Sequence, residues 1–527
     1  MDSGVWHIHW DGDCFTGPDG QACDRLWGDV PDITRAHEAI DAWARKVDIF
    51  RRAPRARGFT AWWLPRFHLV HTVLSEALPQ LRALQAVRAT HGTPREIVMD
   101  APPAAWWPAL VRAVFPEATL KAAPAHEGGR IEQAKRVQAR LRRATTTARR
   151  LRLLQPPQPG RPRVLVVSQS RYWNGTRDTE LGPVITALEA AGMETVVLDQ
   201  SHGDHVPRMD AWRTRPERHL FGDIFHWRYL KRRGRLPRIE NAIGGHRLMI
   251  EGVDLAPLVE GYCRSAMPSA ARGLAEYVET VPEFLAEIGA AAVVTLDENG
   301  GEHGIKTGAV LAGVPVIGVQ HGCIHRDHLN YIFPKEVDGA DVPLCNVTCV
   351  YGEHERRLLA EHSVYGQTQI AVTGRPKDAA AAPLPAWGAR TADGQRLRQS
   401  ILPPDCDRLL FFTSQDLLHA AVAGPLLDAF ATSHPRHCLV IRPHPREFDG
   451  VHWRARLEAR GLTERARVSA DGTIEAWLDA CDVHLSATST VLSEAVLHGR
   501  PNIVIGAKSF GDWLGCIEAG CAVDLAD

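Results

Sequence analysis

The sequence predicts an α/β protein with two parallel-sheet lobes and an additional N-terminal α/β region that ends in a long basic helix. Short apolar runs, typical of buried parallel strands, alternate with segments of helical length and period along most of the chain. This alternation occurs in two blocks, which an Ala/Pro-rich stretch at Ala379–Pro385 separates. The length of 527 residues suits two or three domains at roughly 100–200 residues each.

The composition indicates a globular protein of the cytoplasm. Hydrophobic residues make up 45% and charged residues 23% of the chain, so large cores are expected. Lys plus Arg (61) nearly balances Asp plus Glu (62), so nucleic acid is not the expected partner. The 11 cysteines are scattered and predict reduced thiols. No signal-like segment and no stretch of 18 uncharged apolar residues occurs, so neither secretion nor a membrane span is expected.

Residues 1–155 form the predicted N-terminal α/β region. Two strands are expected, and helices are expected between them and up to the end of the region. The strands are placed at 5–10 and 96–100, and the helices at 33–50, 67–90, 103–115 and 130–154. The last helix has one narrow apolar face and nine Arg or Lys residues against the single acid Glu132. It either packs on its own protein with a solvated outer face or contacts an anionic membrane surface or acceptor.

A Pro-rich linker at 155–160 then predicts a domain boundary. Residues 156–378 are expected to form a first lobe and residues 379–527 a second lobe. The strands of the two lobes are placed at 163–168, 194–198, 291–296, 315–319 and 347–351, and at 409–413, 438–441, 483–486 and 502–505. The helices are placed at 181–191, 271–288, 304–312 and 354–362, and at 417–432, 453–460, 473–479 and 490–498. Two doubly wound, Rossmann-like lobes facing a cleft are therefore expected, with ligands at the carboxyl ends of the strands.

An acidic pair follows one predicted strand of the first lobe. Asp297 and Glu298 precede Asn299 and Gly300 on a glycine-rich turn. Partial desolvation and like-charge crowding raise the pKa of such a carboxylate, which suits a general base. The alternative interpretation is that the acids only cap the turn.

Two further segments place imidazoles after strands. His321 lies between Gln320 and Gly322, where it is suited to abstract a proton or to donate to a phosphate. In Arg442-Pro443-His444-Pro445 the prolines stiffen the strand exit and hold Arg442 and His444, which suits binding of a departing diphosphate. A satisfied polar histidine and a plain rigid turn are the respective alternatives.

The fourth segment is rich in hydroxyl groups. Thr488, Ser489 and Thr490 stand at a predicted helix start, where free N–H groups favour an anion. Glu494 follows one turn later and is suited to bind a ribose diol. Ordinary capping by Ser489 and a solvent-facing Glu494 form the alternative.

Together these motifs resemble the GT-B superfamily of nucleotide-sugar-dependent transferases. The closest resemblance is to the bacterial surface-polysaccharide branch, which includes capsular Kdo transferases, polysialyltransferases and CDP-glycerol glycerophosphotransferases. The motifs that carry it are Gln320-His321-Gly322, Arg442-Pro443-His444-Pro445 and Thr488-Ser489-Thr490 with Glu494-Ala495, within roughly residues 160–510.

The resemblance implies a role for each of these residues. It makes His444, Ser489 and Thr490 donor-phosphate binders, Glu494 the ribose-binding acid, and Glu298 or Asp297 the base. In this branch the acidic turn continues with a glycine, whereas here the third position is Asn299.

We therefore expect a metal-independent, inverting glycosyltransferase. Its donor is a CMP-, CDP- or UDP-linked sugar, its acceptor is a glycan or other polar hydroxyl, and no cofactor is needed. Glu298 or Asp297, or else His321, deprotonates the acceptor. Residues at the exits of two strands stabilise the departing phosphate, namely Arg442, His444, Thr488, Ser489 and Thr490. Gln320 and Gly322 are the expected contacts to acceptor or phosphate.

Zinc is not expected, since His7, His9, Cys14 and Cys23 lack the close Cys pairs of structural zinc sites. Three alternative functions are a polyol-phosphate transferase of the CDP-glycerol type, a UDP-N-acetylhexosamine 2-epimerase, and a non-catalytic nucleotide- or glycan-binding scaffold. An epimerase needs no acceptor, and a scaffold binds the donor without turning it over.

Overall fold

The structure is a computed structural model that describes most of the chain. The described residues are 5–8, 10–11, 14–16, 22–23, 33–99, 106–122, 130–169, 172–174, 177–200, 218–231, 245–296, 300–335, 337, 342–376, 388–414, 419–444, 450–506, 512 and 514–525. They fall into two compact units. The first contains the described residues within Met1–Leu26, Ile33–His321 and Arg326–Ala380, and the second contains those within Gly322–His325 and Ala381–Asp527. The boundaries predicted near residues 155 and 378 stay predictions.

The N-terminal region has the expected small parallel sheet. Its strands are β1 (Val5–Ile8), β2 (Glu96–Met99) and β3 (Thr119–Ala122), paired in that order. Its helices are α1 (Ile33–Lys46), α2 (Ile49–Arg52), α3 (Trp63–His68), α4 (Ser75–His91), α5 (Trp107–Val114) and α6 (Arg130–Leu153). Short strands also occur at Trp10–Asp11, Cys14–Thr16, Ala22–Cys23, Arg55–Ala56 and Phe59–Thr60.

Two of the predicted helices differ from the structure. The helix expected at 33–50 is divided in two because Asp48 adopts a left-handed conformation with φ 52°. The helix expected at 67–90 begins earlier, at Trp63, and its middle turns at Leu69–Leu74 are wound more widely, as a π-helix. Neither change alters the α/β character of the region.

The first lobe contains a seven-stranded parallel sheet. Its strands are β4 (Arg163–Ser168), β5 (Glu194–Asp199), β6 (His219–Phe221), β7 (Ala290–Thr295), β8 (Val316–Val319), β9 (Val347–Val350) and β10 (Ile370–Val372). They are ordered β6-β5-β4-β7-β8-β9-β10, so the order reverses between β4 and β7. The connecting helices are α7 (Gly182–Ala190), α8 (Asp223–Lys231), α9 (Ala256–Ile288), α10 (Gly300–Leu311) and α11 (Glu353–His362). Two hairpins add Trp173–Asn174 with Arg177–Asp178 and Met249–Ile250 with Val253–Asp254.

Helix α9 is much longer than the predicted helix at 271–288. It runs for 33 residues and passes through Pro268 and Pro282, although proline usually interrupts a helix. The helix α10 packs closely on it. A Cβ atom on Gly304 would clash with the Tyr277 ring, and one on Gly308 would lie 2.5 Å from Val281 Cβ. Both glycines are therefore needed for the close approach of α9 and α10.

The second lobe contains a six-stranded parallel sheet. Its strands are β11 (Arg408–Thr413), β12 (His437–Arg442), β13 (Ala466–Val468), β14 (Val483–Ser486), β15 (Asn502–Val504) and β16 (Ala522–Asp524). They are ordered β13-β12-β11-β14-β15-β16, which reverses between β11 and β14. The helices are α12 (Ala392–Ile401), α13 (His419–Thr432), α14 (Val451–Ala459), α15 (Ile474–Ala480) and α16 (Val491–Leu497).

The predicted α/β class with two Rossmann-like lobes is confirmed. Each parallel sheet reverses its strand order once, which is the mark of a doubly wound sheet. The strands are buried as expected, with every residue of β4 and β5 buried. The cleft expected between the lobes stays a prediction.

The burial of side chains on the basic helix α6 differs in part from the sequence prediction. Among the side chains of its predicted apolar face that the structure describes, Ala144 and Leu151, towards the C-terminal end, are buried. Val137 and Leu141 are 61% and 44% exposed, respectively. Arg143, which was assigned to the solvated or membrane-facing side, is instead buried in an ion pair with Asp223. Within the described part of the chain, no helix is both long enough and apolar enough to cross a membrane.

Candidate functional site

The carboxyl ends of β12, β11 and β14 bring together three of the predicted donor-binding segments. These strands are neighbours, and the backbone register pairs Thr413 with Arg442 on one side and with Ser486 on the other. The reversal of strand order falls between β11 and β14, the position where open α/β sheets bind ligands. The row of Arg442, Thr413 and Ser486 therefore marks the base of a candidate ligand site within the second lobe.

A buried hydrogen-bond network lies beneath this row. Asn502 Nδ2 donates to Leu492 O at 3.0 Å, which turns its Oδ1 towards His484 Nδ1 at 2.8 Å. Nδ1 of His484 therefore carries the proton, and the unprotonated Nε2 lies 3.0 Å from Thr413 Oγ1, which also lies 3.0 Å from Ser486 Oγ. Ser486 Oγ in turn donates to Thr413 O at 2.8 Å.

Burial lowers the pKa of His484 to about 4, so the ring is neutral at physiological pH. The network fixes the last residues of β11 and β14. Sequence analysis missed it, because nothing in the pattern showed that His484 and Asn502 face each other across two strands.

Arg442 and His444 leave β12 beside this network. The guanidinium of Arg442 donates from Nη1 to Asp471 O at 2.7 Å. Burial lowers the pKa of Arg442, and the charges of Asp471 and Glu475 oppose that shift. The backbone N–H of His444 donates to Ser414 Oγ at 3.0 Å, and its side chain is half-buried. The exits of β11 and β12 are thereby held together.

The hydroxyl segment follows β14. Thr488 and Ser489 are buried. Ser489 Oγ accepts a hydrogen bond from Val491 N at 3.2 Å, which is the ordinary helix cap that was the alternative to anion binding. Thr490 is the N-cap of α16 and its side chain makes no capping hydrogen bond. The helix α16 has only seven residues, so its dipole alone would attract an anion weakly. An anion at this helix start would depend mainly on side chains and on the N–H groups of the loop.

Glu494 and Cys323 lie against the same segment. Glu494, half-buried, lies one turn along α16, where the sequence analysis placed it. The Cys323 thiol donates to Thr488 O at 3.4 Å, so the residues after Gly322 lie against this segment of the second unit. Sequence analysis did not identify Cys323.

Gln320, His321 and Gly322 follow β8. The Gln320 side chain accepts from Tyr351 N at 2.7 Å and therefore ties β8 to the end of β9. His321 donates its backbone N–H to the Tyr331 hydroxyl at 3.3 Å, and its ring centroid lies 4.9 Å from that of Tyr172. Gly322 has φ 74°, a conformation that a glycine adopts without strain.

Asp297, Glu298 and Asn299 lie outside the described residues. The residues before and after them are described. Leu296, which follows β7 at the reversal of the first sheet, is buried, and α10 begins at Gly300. Burial lowers the pKa of His303 on α10 well below its usual range.

A second polar cluster lies at the carboxyl ends of β4 and β5 in the first lobe. The Ser168 hydroxyl donates to Asp178 Oδ2 and accepts from Trp173 Nε1 at 3.1 Å. Burial raises the pKa of Asp178. Asp199 pairs with His219 at 3.2 Å, and both side chains are fully buried. Sequence analysis missed this cluster, because its members come from separate strands and a hairpin.

Among the described residues, no group of three or more His, Cys, Asp or Glu side chains has a geometry that could hold a metal ion. The predicted metal independence stays a prediction.

No protein-family model and no curated protein matches the sequence. Solved structures similar to this chain include Anabaena HepE in complex with UDP and glucose, with 13% identity, 68% of this chain and 82% of HepE covered, and a TM-score of 0.40. The UDP-GlcNAc 2-epimerase from Methanocaldococcus jannaschii has 11% identity, with 69% and 88% of the two chains covered and a TM-score of 0.40. MnaA from S. aureus, solved with UDP, has 11% identity, coverage of 68% and 83%, and a TM-score of 0.41.

Proposed function

We propose that this protein transfers a glycosyl group from a nucleotide-activated sugar to a hydroxyl group of a polar acceptor. The observation that carries the proposal is the row of Arg442, Thr413 and Ser486 across three neighbouring strand ends at the reversal of the second sheet. Hydroxyl groups, a guanidinium and an imidazole at such a position suit the phosphates of a nucleotide.

Each residue of this group has a role in the proposal. Arg442 and His444 neutralise the charge that grows on the departing phosphate, and Ser489 and Thr490 hydrogen-bond its oxygens. Glu494, one turn along α16, accepts hydrogen bonds from the ribose diol. Arg442 already donates to Asp471 O, which orients its guanidinium before the donor binds.

The base belongs to the first lobe in this proposal. Asp297 and Glu298 follow Leu296 in the sequence, directly after β7, and β7 lies next to the point where the order of the first sheet reverses. A carboxylate there deprotonates the acceptor hydroxyl, which attacks the anomeric carbon as the nucleotide phosphate leaves, and a single displacement inverts the configuration. We favour Glu298, with Asp297 and His321 as alternatives.

Nucleotide binding tests the site. We expect one of CMP, CDP, UDP, GDP and dTDP to raise the melting temperature, since a ligand at 100 times its Kd stabilises a protein by roughly 2.7 kcal/mol. His444→Ala should weaken that binding by about tenfold or more, because one charge-assisted hydrogen bond is lost. Isothermal titration calorimetry measures the change.

His434→Ala is the matched control, because His434 is exposed and precedes β12 at the other end of the strand. Its nucleotide affinity should equal that of the wild type. Equal affinity in folded His444→Ala would remove His444 from the site, and no stabilisation by any nucleotide of the panel would contradict the proposed function.

A further inference from the structure

A cavity of about 550 Å³ lies between α6, α8 and α9 in the first unit. Each helix contributes one stripe of residues spaced three or four apart, so the cavity runs along three helix faces. Its floor is formed by Gln200 and Gly222, which directly follow β5 and β6. Tyr277 donates its hydroxyl hydrogen to Gln200 Oε1 at 3.1 Å. The proposed donor site does not use this cavity.

The mouth of the cavity is unusually apolar for a protein surface. Val137 and Leu141 of α6 are 61% and 44% exposed, and Trp227 and Leu230 of α8 are 38% and 53% exposed. Exposed large apolar side chains that gather around one cavity indicate a binding surface.

The acids around the cavity have basic partners, whereas two of its arginines have none in the described part of the chain. Asp223 is held by Arg143 at 2.6 Å, and Glu276 is held by His226 at 2.9 Å. The Asp223 charge is matched by the Arg143 guanidinium, and the Glu276 charge is matched when His226 is protonated. Arg140 and Arg272 line the cavity as well, and the described part of the chain gives neither of them a hydrogen bond or an ion pair. Their charges both reach the His226 ring, where they oppose its protonation. Lys231 adds a further cation, 5.4 Å from the Trp227 ring centroid.

We propose that this cavity binds an anionic lipid. The head phosphate lies against Arg140 and Arg272, and the first part of the acyl chain lies against Leu141, Trp227 and Leu230. Uncommitted guanidinium groups beside an apolar cavity match such an amphiphile in charge and in polarity, whereas a free phosphate would leave the apolar wall in water. The basic helix α6 thus contributes a defined pocket and not only a general positive charge.

Gly273 of α9 offers a direct way to close the cavity. A Cβ atom there would meet no other atom within 4 Å, and the residue lies inside a regular helix. The Cβ atom of Gly273→Leu would therefore lie in open space, from which its side chain extends into the cavity that Gly273 lines. The substitution also replaces a poor helix former by a good one, which favours folding.

The test uses dioctanoyl phosphatidylglycerol below its micelle concentration, with glycerol phosphate as the head group alone, and calorimetry as the readout. We expect the wild type to bind the lipid at least about tenfold more tightly than glycerol phosphate, since several apolar groups leave water. Gly273→Leu and the double variant Arg140→Gln/Arg272→Gln should each lose at least about tenfold in lipid affinity. Nucleotide affinity, measured in parallel, should be unchanged in both.

The matched control is Arg149→Gln/Arg152→Gln, which removes the same charge from exposed positions of the same helix outside the cavity. It should bind the lipid like the wild type. An equal loss in this control would assign binding to the general charge of α6 and overturn the pocket. The proposal also falls if the wild type does not bind the lipid, or binds glycerol phosphate equally well. A dimer that dissociates in Gly273→Leu would assign the cavity to a second copy instead.

Discussion

At the scale of single residues, the candidate donor site rests on a buried layer of polar side chains beneath it. His484 is fully buried and neutral, and its two ring nitrogens join Asn502 to Thr413. Thr413 and Ser486 are the last residues of their strands, so the imidazole sets where the loops that follow begin. The positions of the strand ends at the candidate site therefore depend on the buried side chains beneath them.

The burial of His484 predicts a pH dependence of stability. Its pKa is lowered to about 4 in the folded protein, against 6.5 for an ordinary histidine. As the pH falls, the unfolded chain therefore binds a proton at this histidine before the folded protein does. The stability that the neutral ring contributes is complete above pH 6.5 and is lost as the pH falls towards 4. Between about pH 7.5 and about pH 5 this loss amounts to about 2 kcal/mol.

Urea unfolding of the wild type and of His484→Gln at both pH values measures this loss. The glutamine does not titrate, so the wild type should lose about 2 kcal/mol more than the variant on acidification. The difference between the two proteins isolates His484 from other buried histidines such as His303. Identical losses in the two proteins would show that His484 does not titrate as its burial predicts.

At the scale of elements, α6 is anchored by one buried ion pair. Arg143 donates from Nε and Nη2 to the two oxygens of Asp223 at 2.6 and 3.1 Å, and only 4% and 12% of the two side chains is exposed. Thr147, one turn on, accepts from Phe221 N at 2.8 Å. These contacts attach α6 to the edge of the first sheet at β6 and α8.

Removing this anchor should be costly. Arg143→Ala leaves the Asp223 carboxylate largely buried without its counter-charge, and we expect the free energy of unfolding to fall by about 3 kcal/mol. Arg149→Ala, an exposed position on the same helix, should change it by less than about 0.5 kcal/mol. Urea unfolding compares the two variants, and similar losses would mean that the ion pair does not hold α6.

Helix α6 also shows what the spacing of apolar residues can and cannot predict. The spacing of apolar residues predicted the helix to within one residue at its C-terminal end, Leu153. It could not show which part of the apolar face is covered, because that depends on α8 and β6, which meet α6 from later in the chain. Val137 and Leu141 are exposed, and Arg143 is buried, for this reason.

Other elements could be predicted where their own residues form a recognisable pattern. The strand Arg163–Ser168 has the predicted bounds, because its continuous apolar run of helix-incompatible length is flanked by polar residues and fits a buried strand. The strand Val483–Ser486 also has the predicted bounds, although His484 interrupts its apolar pattern. Strand β6 and strand β16 have three residues each, and neither was predicted. The first half of α9 was missed because Pro268 is usually a helix breaker, and tertiary contacts override it.

At the scale of the whole molecule, the two sheets have the same plan. In each, the first strand of the lobe lies in the middle, and the order reverses beside it, between β4 and β7 and between β11 and β14. The candidate donor residues follow the strands at the second reversal, and the candidate acids follow a strand at the first. The sequence could predict these segments as polar strand exits, but their adjacency in the sheet follows only from the strand order.

Acceptor-dependent release of nucleotide from a nucleotide-sugar tests the central claim most directly. The wild type, Glu298→Gln, Asp297→Asn and His321→Ala are incubated with the donor whose nucleotide binds, with and without a panel of glycan acceptors, and the products are identified by mass spectrometry. We expect a glycosylated acceptor with one nucleotide released per transfer, and a loss of roughly 10²–10⁴-fold in turnover for Glu298→Gln at unchanged donor affinity. An epimerised sugar formed without acceptor, or a bound donor that never turns over, would contradict that claim.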